Sequence, residues 1–189
     1  MHETRATYFS VDIECSGPVP SLYDMVSIGI VVVAPDDSGK LRCGETLYLE
    51  IKPQGPRIDP GAMKVHGIPL AHLLANGITR RDAMVRVTDW VTAHTRPGTK
   101  PVFVGHNAPF DWSFVAWCYA VEELPNAFGY KALDTKALAT GKLGLHWFDS
   151  SKEVLHERLH MPAEDLSLKH RADYDAQYQA ELLIRLLES

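Results

Sequence analysis

Two acids stand two residues apart in YFSVDIECSGP, Asp12 and Glu14. A third, Asp111, follows in VGHNAPFDWSF, and a histidine and a fourth acid, His170 and Asp175, lie in LKHRADYDAQ. Each carboxylate falls where the surrounding pattern calls for an apolar, inward-facing side chain. An ionised carboxylate removed from water without a partner is costly enough to shift its pKa or to require a counter-charge. A bound cation meets that need for all of the acids together, so metal-dependent chemistry is the first reading these residues raise.

The spacing carries more than the residue types. Side chains alternate along a strand, so Asp12 and Glu14 share one face, with Phe9, Val11 and Ile13 on the other. An isolated Asp-x-Glu is also what a solvent-exposed sheet edge shows. Asp111 lies in the first turn of a helix begun by Pro109 and falls in line with Phe114, Val115 and Cys118, the apolar stripe. An acid at that point can also act as a cap or dipole partner. Asp175 projects into the face formed by Ala172, Ala176, Leu182, Leu183, Leu186 and Leu187, whereas Asp173 points the other way and reads as a surface acid. A buried lysine or arginine is the alternative partner for Asp175. The neighbouring core positions read apolar, which favours a metal. His170 gains its interest from this company: near neutral pH an imidazole accepts a proton.

An all-oxygen donor set suits Mg²⁺ or Mn²⁺ rather than zinc. Two such divalent cations stabilise the attacking and leaving oxygens of an in-line displacement at phosphorus. With His170 taking the proton of the attacking water, the outline is a phosphodiester hydrolase.

Other features exclude or compete. The formal net charge is -5, with 19 basic and 24 acidic residues. A general polyanion binder would be basic, so a nucleic-acid enzyme of this charge should grip a few nucleotides locally. Cys15, Cys43 and Cys118 form no CxxC and no even framework, which points to a reducing cytoplasm. The N-terminus MHETRATYFS is too polar for a secretory signal, and no apolar run is long enough to span a membrane. His156-Glu157-Arg158-Leu159-His160 is a formal HExxH, the zinc metalloprotease pattern. Val154, Leu155 and Leu159 mark the buried face there, however, and both histidines project away from it.

The elements that must position these groups read as one domain over residues 1–189. Strands are expected at 6–12, 25–34 and 44–51, the second and third forming a hairpin through the turn signal Pro35 to Gly39. The stretch 51–62 reads as a loop. Helices are expected at 80–94, 109–121, 150–160 and 171–187. Short strands fall at 100–105 and 130–133, the latter followed by a short helix. Strands first and then alternating helices and strands give an α/β layered domain with a mixed sheet.

At this point the chain resembles the DEDDh 3′→5′ exonucleases of the ribonuclease H-like fold, over nearly its whole length. VDIECSG is similar to the family's D-x-E-T-x-G, with Cys15 in place of the usual threonine. GHNAPFDWSF resembles H-N-x-x-F-D, HRADYD fits H-x-A-x-x-D, and VHGI at 65–68 resembles a further signature. The resemblance implies a five-stranded mixed β-sheet flanked by α-helices, ligation of two cations by Asp12, Glu14, Asp111 and Asp175, and His170 as general base. It implies release of nucleoside 5′-monophosphates from a single-stranded 3′ end. Ile13, Cys15, Met63, His66, Asn107 and Phe110 are its implied substrate contacts. Packing in the core remains the alternative for Phe110, and helix capping the alternative for Asn107. Arg80, Arg81, Arg86, Lys169 and Arg171 are candidate supports for a strand. A homodimer stays open, as does a non-catalytic nucleic-acid-binding module of the same fold, and LDTKALA is similar to a phrase of ribonuclease T.

Overall fold

The computed structural model describes residues 5–188. The first four residues, part of the N-terminal stretch read above for a signal, and Ser189 lie outside the described residues. The strands are β1 (Ala6–Cys15), β2 (Met25–Pro35), β3 (Leu41–Glu50), β4 (Lys100–Gly105) and β5 (Ala132–Asp134). They form one five-stranded sheet in the order β3-β2-β1-β4-β5. β1 and β3 both pair antiparallel with β2, while β1–β4 and β4–β5 are parallel. The expected mixed sheet is present, and β1 is its centre. The chain leaves β1 toward β2 on one side and returns to β4 on the other. The carboxyl ends of β1 and β4 therefore open a crevice at the point where the strand order reverses, where α/β sheets place ligands.

The uninterrupted β-branched run of β2 is buried on both faces, and each face is covered by helices. On one side Phe9, Val11, Ile13, Ile28 and Ile30 meet Met84, Val87 and Val91 of α3 (Arg80–His94). The same cluster includes Phe114, Val115 and Cys118 of α4 (Pro109–Val121). On the other side Val31, Val33 and Val104 meet Ala176, Ala180 and Leu183 of α7 (Ala172–Glu188). The alternation along β1 thus sends Phe9, Val11 and Ile13 toward α3 and α4, and turns Ser10, Asp12 and Glu14 toward α7. Ser10 Oγ donates to the Ala176 carbonyl at 2.8 Å, which ties β1 to α7 one step before the acids.

The approach of α7 to the sheet is fixed by a glycine. Gly29 of β2 pairs with Asp12 in register. A Cβ at Gly29 would lie 2.1 Å from the Ala172 carbonyl oxygen and 2.4 Å from the Asp173 amide nitrogen. The first turn of α7 can sit against the sheet beside Asp12 because that side chain is missing.

Several expectations change. The stretch 51–62 is not all loop: α1 (Pro60–His66) begins in it, with Pro60 at its first position and Asp59 accepting from the Gly61 amide at 2.7 Å. A second short helix, α2 (Leu70–Asn76), was not expected. β1 runs on through both acids to Cys15, and the last strand is shifted to Ala132–Asp134, leading into α5 (Thr135–Leu143). The helix expected at 150–160 is shorter, α6 (Lys152–Arg158). Arg80 is not a free strand support. It pairs with Glu122 at 2.7 Å and Asp24 at 3.6 Å and lies 4.7 Å from the centroid of the Trp117 ring. No helix among the described residues is long and apolar enough to cross a membrane.

Because backbone atoms, not a flexible side chain, stand in the way at Gly29, Gly29→Ala should lower the unfolding free energy by about 3 kcal/mol, the upper end of what overpacking costs. Urea unfolding of the variant checks this; an unchanged midpoint would show that α7 does not depend on the close approach.

Candidate active site

The crevice at the ends of β1 and β4 holds a cavity of about 260 Å³ lined by Asp12, Glu14, Asp111, His170 and Asp175, together with Ile13, His106, Asn107, Phe110 and Lys152. All five residues singled out for chemistry therefore meet in one place, from three separate segments. β1 supplies the first two acids. Past Ser10 it is no longer paired with β4, so the amide of Ile13 is free to donate to Asp111 Oδ1 at 3.1 Å. That bond joins the strand end to the first turn of α4, where Asp111 is 5% exposed.

Asp175 enters from α7 and is 3% exposed. Its Oδ2 folds back to accept from the amide of His170 at 2.7 Å. His170 has φ 65, a left-handed conformation that turns the chain into the helix. One ligand atom from each of Glu14, His170 and Asp175 lies within 4.8 Å of the others. Asp12 and Asp111 line the same cavity beside this trio. Asp173 is half-buried rather than a plain surface acid: Oδ2 pairs with Arg171 at 2.8 Å, and Oδ1 is buried with no hydrogen-bond partner among the described residues.

Three residues here were not anticipated. Lys152, at the start of α6, reaches in to place Nζ 3.0 Å from Asp175 Oδ1 and 3.9 Å from Glu164. The buried basic partner named as the alternative for Asp175 is therefore present, and the expectation that its surroundings are apolar does not hold on this side. A long side chain from a distant helix gives no local pattern to find. Gln179, 1% exposed, donates through Nε2 to Asp12 Oδ1 and accepts the His106 amide at 2.9 Å on Oε1. It follows Asp175 by one helical turn, so the phasing that selects Asp175 selects Gln179 as well. His106 precedes Asn107 in the second motif, and its Nδ1 lies 3.0 Å from the Thr135 hydroxyl.

The electrostatics follow from crowding acids out of water. Burial, reinforced by Asp111, holds Asp12 well above the ordinary carboxylate value. Burial, then Asp175 and Asp111, pushes Glu14 up to about 8. Burial raises Asp111 to about 7 against the Ile13 amide, which pulls the other way. Burial works against the Lys152 ammonium, but Asp12 and Asp175 outweigh it and hold its pKa above the usual lysine value. Burial first, with Lys152 and Lys136 nearby, lowers His106 to about 4 and keeps it neutral.

The expected substrate contacts divide. Ile13, Glu14 and Phe110 line the acidic cavity and also a second, more apolar one of about 290 Å³, with Cys15 and, from α1, Ala62 and Val65. Met63 and His66 are not among the residues lining it. His66 borders a different cavity with Tyr48, Glu50 and His72. Asn107 does not cap α4: Ala108 is the cap and makes no side-chain bond. Asn107 instead takes φ 64, and its amide donates to Asp134 Oδ1 at 2.9 Å. Phe110 is half-buried, its ring 5.4 Å from that of Phe114 and its edge at both cavities.

Known proteins resemble this chain in sequence and fold. The family model of the Rv2179c-like 3′-5′ exoribonuclease domain matches residues 7–187. The 3′-5′ DNA exonuclease Cap18 of Escherichia coli is 36% identical over 189 residues, 100% of this chain and 95% of that protein. The nuclease domain of 3′hExo, a DEDDh family member bound to rAMP, superposes with a TM-score of 0.77 at 14% identity, over 97% of this chain and 91% of that one. The chain belongs to the Rv2179c-like family of 3′-5′ exonucleases. Ribonuclease T of Shewanella denitrificans is a further relative, 25% identical over 194 residues, covering 98% of this chain and 83% of that protein.

The exonuclease has no zinc-protease site at its HExxH. α6 ends at Arg158, and His160 lies beyond it with φ 52, so the two histidines do not share a helix turn. Val154 is exposed rather than buried. Among the described residues the grouping able to hold a metal is Glu14, His170 and Asp175. That grouping offers two carboxylate oxygens and an imidazole nitrogen, with Asp12 and Asp111 lining the cavity beside it, and burial leaves the acids short of positive charge, which suits a divalent cation.

Removing Lys152 should leave that shortage uncompensated. Lys152→Met is expected to destabilise the metal-free protein by about 3 kcal/mol, the scale for breaking a buried pair from one side. Urea unfolding in EDTA measures it; a variant as stable as the parent would show that the ammonium is not what balances the acids.

Proposed function

We propose that this 3′→5′ exonuclease acts as one domain over residues 1–189 on the 3′ end of single-stranded DNA or RNA, releasing nucleoside 5′-monophosphates with Mg²⁺ or Mn²⁺. The observation that carries the reading is the meeting of Asp12, Glu14, Asp111, Asp175 and His170 in one cavity that opens directly on an apolar one. The acidic cavity suits a phosphodiester and its counter-ions, and the apolar one suits a terminal nucleoside. Phe110, at the edge of both, can pack on the last base. Stacking of this kind tolerates any base.

The residues divide the work. Asp12, Glu14, Asp111 and Asp175 would hold the divalent cations, which when bound supply charge neutralisation at the phosphate and acidity to the attacking water. His170 takes the proton from that water; its backbone is held by Asp175 and its imidazole lies near Glu14. Gln179 fixes the Asp12 carboxylate, and the Ile13 amide fixes Asp111. Three free cysteines suit action in a reducing cytoplasm. A non-catalytic module would have no use for five reactive groups gathered in one buried centre.

The test follows a 5′-labelled single-stranded oligonucleotide, as DNA and as RNA, with Mg²⁺ and with EDTA. The parent should give a ladder shortened from the 3′ end, abolished by EDTA. Asp12→Asn and Asp175→Asn should abolish cleavage, and His170→Ala should lower the rate by about 10²–10⁴-fold while metal binding persists. Full Mg²⁺-dependent activity in Asp175→Asn would overturn the assignment.

A further inference from the structure

A third cavity, of about 500 Å³, adjoins the acidic one on the side away from the apolar cavity. It shares His106, Asn107, Lys152 and Lys169 with the acidic cavity and no lining residue with the apolar one. The cleft therefore runs apolar, acidic, basic. The residues that set the third cavity's character are Lys136, Trp147, Lys152 and Lys169.

Two of these are already occupied. Lys169 pairs with Glu153 at 3.0 Å and Glu164 at 3.7 Å, and Lys152 serves Asp175. Lys136 is different. Among the described residues its ammonium has no carboxylate in ion-pair distance, and it lies 4.8 Å from the centroid of the Trp147 ring. Trp147 is 40% exposed, a large apolar face turned to solvent at the cavity rim. It is not on a loose loop. It opens a 3-10 turn (Trp147–Asp149), its carbonyl accepts the Ser150 hydroxyl at 2.6 Å, and the next ring, Phe148, stacks on His146. A fixed, exposed indole beside an unpaired ammonium is the pairing that takes a base and a phosphate together. The positive field is felt nearby: Lys152 and Lys136 add to the burial that lowers His106.

We propose that this basic cavity is the subsite for the strand upstream of the bond being cut, Lys136 taking a backbone phosphate and Trp147 stacking on the base attached to it. The inference rests on the exonuclease reading of the adjoining site. It gives the strand a direction across the cleft: terminal nucleoside at Phe110, reacting phosphate at the acids, upstream nucleotide at Trp147. It also accounts for an acidic protein holding a polyanion, because the positive charge is concentrated on the side where the strand enters.

The test measures binding and chemistry separately. Affinity for a 5′-fluorescein single-stranded oligonucleotide is read by anisotropy in EDTA, where nothing is cut. Hydrolysis of the p-nitrophenyl ester of thymidine 5′-monophosphate, which has no upstream nucleotide, reads the terminal site with Mg²⁺. Lys136→Ala and Trp147→Ala should each weaken oligonucleotide binding by about 5–20-fold and leave ester hydrolysis at the parent rate. Lys136→Ala should also reduce the slope of log affinity against log salt by about 0.7, and Lys40→Ala, on the distant β2–β3 turn, should change neither. Unchanged oligonucleotide affinity, or equal losses on oligonucleotide and ester, would overturn the subsite. A parent protein that hydrolyses neither substrate would count against the exonuclease reading itself, while the affinities in EDTA would still decide the cavity.

Discussion

Among the described residues, four carboxylates share one buried cavity with a single ammonium close enough to pair, and that imbalance of charge is the constraint the rest of the chain is arranged around. Isolated, each acid would take up a proton or turn to water. Burial pushes Glu14 up to about 8, with Asp175 and Asp111 adding to it, and pushes Asp111 up to about 7. The fold answers with fixed donors. The Ile13 amide serves Asp111, the His170 amide and Lys152 serve Asp175, and the Gln179 amide serves Asp12. Each donor belongs to a different packing contact, so the site stays assembled only while the layers on both faces of the sheet stay in place.

This couples architecture to chemistry at particular residues. β1 is central, paired antiparallel on one side and parallel on the other, and it overruns its parallel partner by the length needed to leave the Ile13 amide unpaired in the sheet. Gly29 lets the first turn of α7 approach within a distance no side chain would allow. Ser10 and Gln179, on facing elements, replace apolar packing with hydrogen bonds just where the core gives way to the cleft. The helix that supplies Lys152 also carries Glu153 at the border of the basic cavity, so the acidic and basic parts of the cleft are held by one short element.

Much of this was legible in the sequence, for identifiable reasons. The β-branched run of β2 can only be a strand buried on both faces. Strand alternation put Asp12 and Glu14 together, and helical phasing put Asp175 in the core and left Asp173 aside. Neither inference needed knowledge of partners. The same phasing points to Gln179, whose uncharged amide stands out less than a carboxylate in an apolar stripe. The proline and glycine of its stretch mask α1 in the sequence, although Asp59-Pro60 is itself a helix start. Lys152 lay beyond reach in principle: it is an ordinary polar residue on a short amphipathic helix, and only tertiary packing brings its ammonium to Asp175. Phe110, Ile13 and Cys15 were placed at the substrate side by resemblance and do line the cavity next to the acids, whereas Met63 and His66 do not.

The central claim is that these acids are gathered to hold divalent cations. Calorimetric titration of Mn²⁺ into the metal-free protein at pH 8, with thymidine 5′-monophosphate present, tests it most directly. Saturable binding of two ions per chain is expected, with protons released to the buffer as Glu14 ionises, and with binding lost in Asp12→Asn/Asp175→Asn. Mn²⁺ binding that is absent, or that is unchanged in the double variant, would contradict it.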